Sequence, residues 1–193
     1  PVQVVWTRED DMTQGPFRPG AMYECKGGIT NDGRITSFQA KMAGQNMNHQ
    51  WSPNPDKLAY NDSTTEGFPE HYFTSIPHYS FSDIPTESPI PVMWWRSVYS
   101  STNGFAYESF IDEMAHKAKK DTLAFRLEHL DEKDELLKRR KDILKIVAEK
   151  AGWNMPKPEG VGRGIASGED RKGICAAVAE VKIVEGKIQV TKI

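Results

Sequence analysis

Residues 94 to 130, WWRSVYSSTNGFAYESFIDEMAHKAKKDTLAFRLEHL, constrain the fold more than any other stretch. An arginine set among aromatics runs directly into a helical pattern. From Asn103 onward, Tyr107, Phe110, Ile111, Met114 and Ala118 recur at helical spacing, so one face of a helix is apolar. Thr102 or Asn103 is placed to cap its start. Asp121 is a good N-cap for a second helix, with Leu123, Ala124, Leu127 and Leu130 on its inner face. The aromatic loop is therefore expected to stand on a rigid base.

A third helix is expected from about Asp134 to Ala151, with Leu136, Leu137, Ile143, Leu144 and Val147 as its stripe. Gly152 is placed to end it, and Pro156 and Pro158 forbid quick resumption. Asp134 with Lys138, and Glu135 with Arg139, stand in the favourable order for helix-surface pairs, worth about 0.2–0.5 kcal/mol each.

Strand patterns flank this block. VQVVW (2–6) reads as a short buried strand, and Asp10, Asp11 and Met12 lead into a loop, QGPFRPG. Residues 21–47 read as a hairpin whose turn is Asn31-Asp32-Gly33-Arg34, since Asp-Gly suits positive φ. Residues 48–93 hold most of the prolines and read as a long ordered loop with short strands. Such a loop is functional or lies against another surface. The tail reads as strands over 174–184 and 187–191, joined by Glu185-Gly186. The preceding GVGRGIASG lacks the Lys-Ser/Thr ending of a phosphate loop and opens no helix, so it reads as a connector or tight strand packing. The class is α+β: an antiparallel or mixed sheet of hairpins packed by about three helices. Along one domain this gives strands and hairpin (1–52), Pro-rich loops (53–101), helices (102–152) and strands (160–193).

The hydrophobic fraction is 38%, yet 5 Trp, 6 Tyr and 8 Phe suffice for a core. A net charge of -2 gives no reason to expect nucleic acid. No apolar run approaches the length of a bilayer span. Cys25 and Cys175 read as unpaired thiols. His49, His71, His78, His116 and His129 lack zinc-site spacing, so no metal ligands are assigned. Glu108 and Asp112, four apart with Glu113 beside them, suit acid–base chemistry, but dipole stabilisation and solvation are the plainer reading. Glu169 sits in Ser167-Gly168-Glu169. Asn61-Asp62-Ser63 matches a glycosylation sequon. The chain opens at Pro1 and stops inside a strand-like segment, so it is read as an internal piece of a longer protein.

Trp94-Trp95-Arg96-Ser97-Val98-Tyr99 is the strongest site candidate. Arginine grips phosphate or carboxylate with two parallel bonds, and indole faces stack on flat ligands. On residues alone, an aromatic loop packed on the core stays open beside this.

VVWTREDDM, then RPG, then the hairpin and the 94–130 run together resemble the molybdopterin-binding large subunit of the xanthine oxidase family, in the branch that holds the isoquinoline 1-oxidoreductase beta chain. The likeness covers most of the chain and is strongest at 2–19 and 95–130. It implies that Arg96, Trp95 and Ser97 lie against a molybdopterin-type cofactor and that Val98 lines the substrate pocket. Relatives often carry Gly where Ser97 stands, and Pro where Thr122 stands. The implied chemistry is hydroxylation of an N-heteroaromatic or an aldehyde, with water as oxygen source and electrons leaving to an iron–sulfur small subunit. The family's base glutamate follows Gly-x-Gly. Glu169 lies in a different neighbourhood, so no catalytic residue is assigned, and this piece alone is expected to be inactive and to hold no cofactor. Relatives occur in the cytoplasm and the periplasm. The alternative is a noncatalytic module whose aromatic loop stacks on a sugar or flat ligand.

Overall fold

A computed structural model describes residues 1–51, 62–68, 75–171 and 173–193. The sequon at Asn61 and the histidine at 71 lie outside the described residues, as does the side chain of His49.

Two three-stranded sheets pack with helices, so the α+β expectation holds. The first sheet contains β1 (Ala21–Ile29), β2 (Ile35–Gly44) and β3 (His78–Pro85), in that order. β1 and β2 form the expected antiparallel hairpin, with Gly33 at φ 81° in its turn. β3 pairs with β2 in parallel, Ser37 opposite His78 through Gly44 opposite Pro85. β2 alternates buried and half-buried positions almost perfectly, which is the mark of a strand with one face on the core.

The second sheet is β4 (Val161–Asp170), β5 (Gly173–Val184) and β6 (Lys187–Lys192), antiparallel throughout. The glycine-rich stretch is thus a strand in its own right. Its glycines alternate with Val161, Arg163, Ile165 and Ser167, and Ile165 and Ser167 point into the core. Glu185 (φ 51°) and Gly186 (φ 75°) make the two-residue turn between β5 and β6.

α3 (Ser100–Lys117) packs against β1 and β4, α4 (Thr122–His129) against α3 and β4, and α5 (Glu135–Ala151) against β4 and β5. Asp121 and Asp134 cap α4 and α5 through their carboxylates, and Gly152 closes α5 in the left-handed region. Asp134 is therefore a cap accepting from Leu136 N and Leu137 N at 2.8 and 3.1 Å. One continuous core runs from Ile35 and Phe38 through Tyr107, Ile111 and Phe125 to Leu144, Ile165 and Val178. No described helix is long and apolar enough to cross a membrane.

Several expectations change. Residues 2–6 are exposed and outside any strand, with Val2 92% and Trp6 60% exposed. Their apolar run reads as a short buried strand, but no described strand pairs with them. Asp10 to Met12 lie not in a loop but in α1 (Arg8–Gln14), because Thr7 and Asp10 form a reciprocal capping box. A short α2 (Met47–Trp51) follows β2. Finally, α3 starts at Ser100 after Tyr99, with no side-chain cap; Thr102 bonds Tyr99 O at 3.1 Å and Asn103 is buried for another purpose.

Candidate functional site

The 94–98 loop is fixed at both ends. On its N-terminal side Val92 is fully buried; its N–H donates to Gln50 Oε1 at 2.7 Å, and its carbonyl accepts from Trp51 Nε1 at 2.5 Å. Phe17 adds a strand-like bridge, donating to Pro91 O (2.8 Å) and accepting from Met93 N (3.1 Å). On the C-terminal side Tyr99 is 2% exposed, donates its hydroxyl to Gln45 O at 3.0 Å and accepts from Met47 N at 3.3 Å. Met42, Met47, Val92 and Tyr99 make a small second core beneath the loop, and Val98 packs against it.

Between these anchors the chain turns sharply. Val98 N donates to Trp95 O at 2.8 Å, and Ser97 has φ 65°. Positive φ at the third residue is the type II pattern, which favours glycine. Val98 follows at φ 40°, a strained conformation for a β-branched residue. Such positions cost on the order of 1–3 kcal/mol each and persist only when neighbours over-determine them.

Arg18 binds this turn through its guanidinium. Its Nη1 donates to Val98 O and to Ser101 Oγ, and its Nη2 to Arg96 O, each at 2.7 Å. Three acceptors on one planar guanidinium fix the turn and tie it to the first turn of α3.

The turn therefore displays its tip outward. Trp94 and Trp95 are 48% and 45% exposed, Arg96 is exposed, and Ser97 and Val98 are half-buried. The four residues expected at the site, Trp95, Arg96, Ser97 and Val98, thus share one turn. Arg96 is exposed, and Val98 packs against the small core. A groove of about 650 Å³ lies beside the turn, between β1 and α3, lined by Arg18, Tyr23, Cys25, Ser101, Phe105 and Phe110; none of residues 94–98 lines it. In it, burial pushes the Cys25 thiol up to about 11 and the Tyr23 phenol up to about 12. Both cysteines are free.

Other polar residues serve the frame. Asn103 donates to Thr64 O and Glu66 O (2.9 and 2.8 Å) and accepts from Tyr23 OH (2.7 Å), pinning residues 64–66 to α3. Glu108, read from sequence as dipole support or a solvated group, is instead 5% exposed and paired with the fully buried Arg126. Arg126 also reaches Asp112, at 2.5 Å. Glu169 ion-pairs with the fully buried Arg140 at 3.0 Å. Ser167 links the two pairs, its Oγ lying 2.9 Å from both Glu108 Oε1 and Arg140 Nη1. Among the described residues no group of three His, Cys, Asp or Glu could hold a metal ion.

The roles of Arg18, Arg126 and Arg140 were not read from sequence. Two of them left a signal. Arg126 lies three after Leu123 and four before Leu130, and Arg140 three after Leu137 and four before Leu144. Both thus fall on apolar helix faces, where a charge must find a buried partner.

Residues 1–130 match the family model described as the molybdopterin cofactor-binding domain. The chain is 28% identical over 162 residues to one of the subunits of nicotinate dehydrogenase from Pseudomonas putida, covering 79% of this chain and 13% of that protein. It is 24% identical over 176 residues to the beta chain of isoquinoline 1-oxidoreductase from Brevundimonas diminuta, covering 86% of this chain and 21% of that one. Among solved structures, aldehyde oxidoreductase from Desulfovibrio gigas superposes with a TM-score of 0.50 at 13% identity, covering 84% of this chain and 19% of that one, which speaks to fold alone. The chain thus spans about an eighth to a fifth of the length of these relatives. With the match running through both the Phe17-Arg18 segment and the 94–98 turn that it holds, the chain belongs to the molybdopterin cofactor-binding domain family.

Proposed function

We propose that this chain is part of the large subunit of a molybdenum hydroxylase, and that the 95–98 turn is where it meets the cofactor. The observation that carries the proposal is the turn itself. It is anchored inward through backbone carbonyls, which leaves the Arg96 guanidinium and two indoles at its tip for a partner. That donor set fits a molybdopterin. The guanidinium suits the anionic phosphate, and the indole faces suit the flat pterin. Trp95, Arg96 and Ser97 would hold the group, and Val98, half-buried against the small core, would border the substrate with its exposed part.

When bound, the cofactor supplies the redox chemistry that inserts an oxygen taken from water into an N-heteroaromatic or aldehyde carbon. This chain's residues contribute binding and orientation: Arg96 by charge, Trp95 by stacking, Ser97 and Val98 by the fixed path of their backbone. The electrons would leave to an iron–sulfur subunit. The base glutamate would come from elsewhere in the parent protein, so this piece alone would not turn over. Glu169 is unsuited to that role, since its carboxylate is 1% exposed and bound to Arg140.

Arg96→Ala in the full-length parent enzyme tests the reading. We expect molybdenum content and pterin fluorescence to fall together with turnover. Wild-type values for all three would refute the assignment of the turn. A noncatalytic module using the same indoles would instead show neither molybdenum nor pterin in the purified parent, while retaining glycan binding.

A further inference from the structure

We infer that Arg18 is a positioning residue for the cofactor-facing turn, holding Ser97 and Val98 in the left-handed region so that Arg96 and Trp95 are presented outward. The inference rests on the functional reading of the turn given above and adds the residue that sets its shape.

Phe17 and Arg18 come from a segment almost eighty residues away in sequence, yet together they grip both sides of the Trp94-Trp95 tip. Phe17 bonds Pro91 and Met93 before the tip; Arg18 bonds the Arg96 and Val98 carbonyls after it. The two carbonyls that Arg18 binds bracket Ser97, the first positive-φ residue, and the second belongs to Val98, the other. Without the guanidinium both residues gain by relaxing to negative φ, because L side chains crowd the backbone there. That relaxation would swing Arg96 relative to α3, since Ser101, the third Arg18 partner, sits in the helix's first turn. Lysine cannot replace the function: an ammonium is a point charge on a flexible stem, and it lacks the fork that spans three acceptors.

Hydrogen exchange in the full-length parent protein reports on the turn directly, because the Val98 amide is protected by its bond to Trp95 O within the turn. Arg18→Ala and Arg18→Lys should each speed exchange at Val98 about tenfold or more, as the local opening becomes easier, while the α5 amides stay protected. Molybdenum content should fall in the same variants. Adding Ser97→Gly should restore part of that content, because glycine takes positive φ without strain. Guanidinium ion at low concentration should do the same for Arg18→Ala.

Unchanged Val98 exchange in both variants overturns the inference. So does faster exchange with full molybdenum content, if Arg96→Ala lowers that content. Full content in the Arg18 variants and in Arg96→Ala alike removes the cofactor reading underneath, and the inference with it. If Arg18→Ala does not fold, Arg18→Lys with and without Ser97→Gly gives the same comparison.

Discussion

Arg126→Ala should be among the most damaging single substitutions in this chain. The side chain is fully buried and bonded along its whole guanidinium edge. Nε and Nη2 approach Glu108 Oε2 at 2.8 and 2.7 Å, and Nη1 reaches Asp112. Nη2 and Nη1 also satisfy the carbonyls of Glu108 (3.1 Å) and Thr122 (3.0 Å). Removing one member of a buried ion pair costs about 3–5 kcal/mol, because the other charge stays behind without compensation. Two features place this case near the lower end. Glu108 Oε1 keeps Ser167 N and Oγ, and Asp112 is 41% exposed, so water replaces much of what it loses. We therefore expect about 3 kcal/mol. With a urea slope of about 2 kcal/mol per molar, the midpoint falls by about 1.5 M. The double variant Arg126→Met, Glu108→Gln should recover about 1–2 kcal/mol of this, since no uncompensated charge is then left buried at position 108. Urea unfolding followed by tryptophan emission measures both. A loss under about 1 kcal/mol for Arg126→Ala, or a double variant as weak as the single, would refute the argument that an orphaned Glu108 carboxylate dominates.

His129 gives a pH prediction. Its Nε2 accepts from Ile35 N at 2.9 Å, so Nδ1 carries the proton donated to Phe125 O at 2.7 Å, and the fold holds the neutral ring. Burial pushes its pKa below the ordinary 6.5. The stabilisation is thus whole above pH 6.5 and is lost as pH falls from there toward the depressed folded value. Denaturation midpoints taken from about pH 7.5 to about 5.5 should drop in the wild type and stay flatter in His129→Gln. Asp121→Ala removes the α4 cap and also the 3.0 Å bond from Trp153 Nε1, so it should cost about 1–2 kcal/mol and more than Asp134→Ala in the same urea assay. Gly152→Ala places a side chain at φ 64°, with its Cβ 3.2 Å from Met155 Cγ; a loss of about 1 kcal/mol is expected, read as a lower melting temperature.

What sequence makes legible here are local features with a strong physical signature. Asp121, Asp134 and Gly152 mark helix ends because capping is a local affair, and the three long helices follow. Asp32-Gly33 and Glu185-Gly186 mark hairpin turns for the same reason. The parallel pairing of β3 with β2 is invisible locally, since it depends on what lies between Gly44 and His78. The apolar run misleads at 2–6, where a strand pattern meets no partner strand among the described residues. The glycine-rich stretch misleads the other way: its glycines alternate with residues that face the core, and only the pairing with β5 reveals a strand. At the candidate site, the residues at the tip of the turn could be picked out from their chemistry. The hand that holds them could not. Arg18 sits in a Gly/Pro-rich loop with nothing nearby to say that its partners are carbonyls beyond residue 95.

We propose above that the 95–98 turn faces the molybdenum cofactor. A crystal structure of the full-length parent enzyme, with anomalous data collected at the molybdenum edge, would locate the metal relative to the turn. We expect a molybdenum peak beside the exposed Trp95 and Arg96 side chains, with the Arg96 guanidinium bonded to the cofactor and Arg18 still on the Arg96 and Val98 carbonyls. A peak on a different face, with Arg96 left in solvent, would contradict it.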